Sequence, residues 1–294
     1  MNASSKEGVD GSLLHSSATT VDTKRLWPLC IFLCLSAAAS WAVWFSPIEK
    51  LGSFYIVVMG LRLDFPFLLI KLVIGNCLPG ILAVIWVLFE GKGQFRGMVS
   101  TLTKWRTPLK WYLVAVALPC TVSLISLEAV LFYLPMQHSS LLTIGLLKTL
   151  LLTLPFGPLW EELAWRAFVL RKLESHYPRL ASALLLGLYW AAWHVPLWLL
   201  QLNSASINKV PIIITAFVNL VAWSVIWTYI YDRSSQSLPV VILLHSTYGA
   251  ATTQVALVAP YLNVYAIYVS AGLAVCLAAI LANAMHRVDG RHAQ

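Results

Sequence analysis

The chain has 294 residues, 59% of them hydrophobic and only 11% charged, with 13 tryptophans. That balance excludes a soluble globular surface and predicts an all-α fold, a polytopic bundle of about eight membrane-spanning helices. The net charge of +8 does not point to nucleic acid, which is not an expected partner. The basic residues lie between the apolar runs, where they report topology in a lipid bilayer.

Residues 1–24 are polar, rich in Ser and Thr and without hydrophobic period, which predicts a flexible cytoplasmic tail. The predicted spans then come in order: Trp27 to Phe45, Phe67 to Phe89, Trp111 to Leu134, Leu141 to Pro155, Ala181 to Leu200, Pro211 to Tyr231, Leu238 to Val258, and Tyr261 to Met285. A cleavable signal peptide is the competing reading of the first, since Ser36-Ala37-Ala38-Ala39-Ser40 is rich in small residues. The long polar stretch before it and the continuation through Trp41, Ala42, Val43, Trp44 and Phe45 favour an uncleaved helix. Between the second and third spans, Lys92 to Lys110 alternates bases with Phe95, Met98, Leu102 and Trp105. This is either an amphipathic helix on the cytoplasmic face or a solvated basic loop. With the N-terminus inside, Lys6, Lys24, Arg25, Lys92, Arg96, Lys104, Arg106, Lys110, Arg171, Lys172, Arg179, Arg233, Arg287 and Arg291 are cytoplasmic, and Lys50, Arg62 and Lys209 are outside. Both termini are therefore expected in the cytoplasm. Cys30, Cys34, Cys77, Cys120 and Cys276 all fall in apolar runs without paired spacing and read as small apolar helix residues.

Ionisable groups at membrane depth are costly and are read as functional by default. Glu161-Glu162-Leu163-Ala164-Trp165-Arg166 sits in a very apolar stretch, and of seven histidines only His194 and His245 lie in apolar runs away from a terminus. A helix over Pro158 to Leu173 places Glu162 and Arg166 at i,i+4, able to pair, and turns Glu161 about 100° away for another task. Trp190 and His194 share the same spacing on the fifth span, with Pro196 beyond them, and His245 and Gly249 repeat it on the seventh. Three helices thus each turn a polar face toward one interior. Taken singly, each residue also has a structural reading, a Glu-Arg lock or a hydrogen-bonded helix contact. Together they point to a site. Glu128 and Lys148 are read as a structural pair on the third and fourth spans, Asn76 and Asn219 as interhelical partners, with lining of the cavity as the other reading of Asn219, and tryptophans such as Trp105, Trp111, Trp198 and Trp227 as interfacial anchors or packing.

The run Glu161-Glu162-x-x-x-Arg166, then Trp190-x-x-x-His194, then His245 in an apolar helix resembles the CPBP family, the CAAX prenyl endopeptidases and bacteriocin-processing (ABI) membrane proteases. Trp165-Arg166-Ala167-Phe168 and Trp193-His194-Val195-Pro196 resemble it as well, and the matching region runs from about Leu141 to Gln254. The resemblance divides the chain into a tail (1–24), N-terminal transmembrane helices (25–140), a CPBP-like catalytic core (141–258), and a last helix with cytoplasmic tail (259–294). Two departures stand out. Trp190 replaces a common phenylalanine, and Gly249 replaces the asparagine of the third motif, with Thr252 one turn further on as a substitute hydroxyl.

By resemblance, the chain is an intramembrane hydrolase acting on a membrane-associated peptide or protein in a bacterial plasma (inner) membrane. Glu161 is the general base, His194 positions the water and His245 polarises the carbonyl, with Glu162, Arg166 and Trp190 orienting them. A divalent metal such as zinc, as in a metalloprotease, is compatible with the set Glu161, His194 and His245, and so is a metal-free glutamate mechanism. The site is expected to open toward the cytoplasmic half, because the glutamate helix leads into Arg171-Lys172. Two other classes compete: a non-catalytic scaffold or immunity protein that kept the fold, and a proton-coupled carrier, against which stands the lack of internal duplication.

Overall fold

The computed structural model describes residues 26–58, 61–133, 142–202, 208–258 and 263–292. The expected tail 1–24, with Lys6 and Lys24, and also Arg25, lie outside the described residues. Among those described, seven helices are long and apolar enough to cross a membrane. They are α1 (Trp27–Phe45), α2 (Phe67–Glu90), α4 (Leu109–Tyr133), α8 (Arg179–Gln201), α9 (Lys209–Arg233), α10 (Leu238–Val258) and α11 (Asn263–His292). The expected fourth span differs. Its helix, α5 (Leu142–Thr153), has 12 residues, about 18 Å of rise, too short alone for a hydrocarbon core of about 30 Å. Pro155 and Pro158, without backbone donors, break it at the turn 154–157. The chain resumes as α6 (Pro158–Ala164), a π-helical segment (Trp165–Leu170) and α7 (Arg171–Glu174), so the expected 158–173 helix forms, with a widened middle turn.

The run from 51 to 66, assigned nothing from sequence, is mostly a hairpin. Strand β1 (Ser53–Val58) pairs antiparallel with β2 (Leu61–Pro66), Tyr55 opposite Asp64. Phe67 N–H closes it onto the Gly52 carbonyl at 3.0 Å. Helix α3 (Lys92–Leu102) buries Met98 and Thr101, so the amphipathic reading of this segment holds as far as Leu102, and no helix is assigned over 104–108.

One end of the bundle collects the basic residues. There Lys172 meets Glu90 at 2.8 Å, Arg179 meets Asp232 at 3.0 Å, and Lys104 donates to the Ser235 carbonyl at 3.2 Å. At the other end, Lys71 donates to the carbonyl of Ser46 at 2.9 Å. Small residues let the helices between them approach. A Cβ added to Gly80 on α2 would run into the backbone of Trp160 on α6. The interior is rich in tryptophan: Trp44, Trp165, Trp190, Trp193, Trp223 and Trp227 are all fully buried. Glu128 and Lys148 are exposed and form no ion pair with each other, contrary to their expected pairing. All five cysteines are free, and Cys77 donates to the Phe156 carbonyl at 2.9 Å, which ties α2 to the turn before α6.

Candidate active site

Glu161 and Glu162 open the glutamate helix and are 3% and 0% exposed. The spacing argument for the second is met: Glu162 Oε1 accepts from Arg166 Nη1 at 3.2 Å, one turn along. The same oxygen accepts from His245 Nδ1 at 2.8 Å, so one carboxylate ties the glutamate helix to α10. Arg166 is fully buried, and its guanidinium lies 4.8 Å from the Trp190 ring and 5.0 Å from the Trp227 ring. Its charge is balanced by the Glu162 carboxylate and by the quadrupoles of these two rings, which also touch each other at 4.8 Å.

Glu161 faces elsewhere, as its position one residue earlier requires. Its Oε2 accepts from Trp190 Nε1 at 2.9 Å and from Trp165 Nε1 at 3.3 Å. Two indole donors make a neutral cradle that fixes the carboxylate without neutralising it. Trp190 therefore does more than supply the aromatic bulk expected of it, since a phenylalanine there would donate nothing. Its ring also sits edge-on to His194 at 5.6 Å and to His245 at 5.5 Å.

The two histidines are oriented by different acceptors. His194 Nδ1 is 2.9 Å from the carbonyl of Trp190. A carbonyl only accepts, so Nδ1 carries the proton, leaving Nε2 with a lone pair in the neutral ring. His245 is held by the Glu162 carboxylate, likewise through Nδ1. Trp198 stacks on His194 at 5.6 Å, and Trp227 packs on His245 at 4.8 Å. Trp227 thus touches both the arginine and the histidine of the site, a role beyond the packing or anchoring read for it. The signal available was its spacing from Trp223, the same i,i+4 step that joins Trp190 to His194.

Among the described residues, no three His, Cys, Asp or Glu side chains form a group able to hold a metal ion. Glu161 Oε2 is taken by indoles and the Nδ1 atoms of His194 and His245 by a carbonyl and a carboxylate, which leaves Nε2 as the ring nitrogen each histidine has to offer.

A cavity of about 520 Å³ adjoins the site, with His194, Trp198, Asn219, Tyr248 and Thr252 in its wall. Glu161 and His245 are not among its lining residues; His194 is the member of the three that reaches it. Among the described residues, no Asp, Glu, Lys or Arg lines it. The cavity extends to Gln201 at the end of α8, Ile212 near the start of α9, Ala256 late in α10 and Ala266 early in α11. Those are the helix ends opposite Arg179, Arg233 and Leu238. The cavity therefore occupies the half of the bundle away from the basic face, not the half expected from the Arg171-Lys172 connection. Thr252 does reach the cavity, but its hydroxyl proton is committed to its own helix, to the carbonyls of Tyr248 at 2.9 Å and Gly249 at 3.1 Å.

Residues 143–251 match the family described as Type II CAAX prenyl endopeptidase Rce1-like. The CAAX prenyl protease 2 of Methanococcus maripaludis is 26% identical over 90 residues, which is 29% of this chain and 33% of that protein. The chain thus matches about a third of the length of this curated relative.

Proposed function

We propose that this polytopic membrane chain, of the CPBP family by its Rce1-like segment at residues 143–251, is an intramembrane endopeptidase acting on membrane-associated peptides or proteins. One observation carries the reading: a single indole, Trp190, donates to Glu161 and packs edge-on against both His194 and His245. A carboxylate and two imidazoles from separate apolar stretches thereby share one chamber beside a neutral cavity.

In the proposed reaction, the Glu161 carboxylate takes a proton from water as the oxygen attacks the scissile carbonyl carbon. His194 holds that water through its free Nε2. His245, held by Glu162 through Nδ1, polarises the carbonyl oxygen as it gains charge when its Nε2 also carries a proton. When the C–N bond breaks, Glu161 returns the proton to the departing amine. Arg166 and Glu162 keep the helix and His245 in register and touch no substrate. A cavity wall without Asp, Glu, Lys or Arg suits an uncharged stretch of chain. Substrates of the CAAX-protein and bacteriocin-processing types both fall within this reading. With the basic face toward the cytoplasm, both termini are cytoplasmic in a bacterial plasma membrane, and the cavity lies in the outer half.

Gly249, which offers no side chain where the family carries asparagine, favours one rival reading, a scaffold or immunity protein that kept the fold. Peptide termini compared between membranes with the native chain and with Glu161→Ala at equal expression separate the two. A protease gives fragments that fall at least about 100-fold in the variant, the scale of a lost general base. Identical termini in the two membranes overturn the assignment.

A further inference from the structure

The attack of water on a peptide carbonyl needs hydrogen-bond donors aimed at the oxygen that gains charge. In the cavity wall, the Thr252 and Thr253 protons go to carbonyls of their own helix, and the Ser126 proton goes to the Val122 carbonyl. Among the wall hydroxyls on α10, the helix that carries His245, Tyr248 is different. Its hydroxyl oxygen accepts from Asn219 Nδ2 at 2.9 Å, so its own proton remains to be given, and no protein acceptor takes it among the described residues. Asn219 itself is only 3% exposed, and its Oδ1 has no hydrogen-bond partner. A polar pair is thus built across α9 and α10 at the edge of the cavity that His194 also lines.

Tyr248 is also placed next to the chemistry. It lies three residues after His245, on the same face of α10. Trp227 packs against both rings, at 4.8 Å from His245 and 5.8 Å from Tyr248. Trp223 also packs against the phenol ring, at 5.0 Å. At Gly249, an added Cβ meets nothing within 4 Å, so the next residue leaves open space where a side chain would otherwise stand.

We propose that Tyr248 is a catalytic residue whose hydroxyl donates to the carbonyl oxygen during attack, and that Asn219 is the residue that positions it. The proposal rests on the endopeptidase reading. The phenol keeps its proton throughout. It stabilises the negative oxygen while the water proton goes to Glu161, and the oxygen loses that charge when the C–N bond breaks.

The test measures the rate at which Glu161-dependent fragments appear in membranes carrying each variant at matched expression. Tyr248→Phe, which keeps the ring and its packing, is expected to slow that rate about 100-fold. Asn219→Leu is expected to slow it comparably, and the double variant no further than either alone, because both act through one hydroxyl. Gly249→Asn has room for its side chain and is expected to restore cleavage in Tyr248→Phe by supplying another donor, which no merely structural role of the phenol predicts. Native-like rates in Tyr248→Phe overturn the proposal and leave the endopeptidase reading intact. Independent, multiplicative losses in the double variant, or no restoration by Gly249→Asn, overturn it too. No Glu161-dependent fragment from either the native chain or Gly249→Asn overturns the endopeptidase reading and this proposal with it. Fragments from Gly249→Asn alone overturn the role of Tyr248 while retaining the fold as a protease scaffold.

Discussion

Arg166 shows how one residue holds several elements in place. It is fully buried, has one ion-pair partner among the described residues, Glu162, and packs against the Trp190 and Trp227 rings. Its Nε and Nη2 have no hydrogen-bond partner, so the two ring faces carry much of its stabilisation. Arg166→Ala strands Glu162 in the core with only His245, and the expected loss is about 3–5 kcal/mol. Thermal unfolding in detergent measures it. Arg166→Lys is expected to recover only part, since an ammonium lacks the planar, delocalised group that packs against both indoles. A gentler change separates the two carboxylates: Trp190→Phe removes one donor to Glu161, a charge-assisted bond of about 1.5–3 kcal/mol. It is expected to lower the rate of fragment release while the Glu162–His245 contact persists.

At the scale of elements, the glutamate helix is the piece that had to be built with care. Two prolines separate it from α5, and a π-helical turn begins at Trp165, shortly after the glutamates. Such turns re-aim side chains and gather at functional sites. Its position against α2 depends on Gly80, because a methyl group there meets the Trp160 backbone, which has no rotamer to yield. Gly80→Ala is expected to destabilise the bundle by about 1–3 kcal/mol through overpacking. Gly272→Ala, where an added Cβ meets nothing within 4 Å, is expected to stabilise α11 by about 0.5–1 kcal/mol. Opposite shifts of the unfolding midpoint check both.

Across the whole molecule, the basic face and the cavity sit at opposite ends. An impermeant thiol reagent applied outside intact cells is expected to label cysteine placed at Gln201 or Thr253, and to reach cysteine at Arg171 only after the membrane is opened. Labelling of both from the same side contradicts the placement. The longer spans were legible in the sequence because each is a run of apolar residues ended by charge, and the ion pair of Glu162 with Arg166 was legible because it is local, one helical turn apart. The hairpin was missed because an apolar run flanked by spans carries no signal that separates strand from helix. The half of the bundle that holds the cavity was misread for a related reason. A basic connection marks the end of the helix that precedes it, but not the level at which neighbouring helices part.

By itself, the sequence determined that the chain crosses a membrane several times, that its basic loops share one face, and that Glu161, Glu162, Arg166, His194 and His245 stand out from an apolar background. Those are properties of composition and short-range spacing. Only the tertiary structure decided which carboxylate serves which partner. Glu162 is joined to His245 across 83 residues of chain, and Glu161 to Trp190 across 29. It alone brought Asn219 to Tyr248. Contacts between helices depend on how small residues let those helices approach and on which way a π-turn rotates their faces, and neither is written in any one segment.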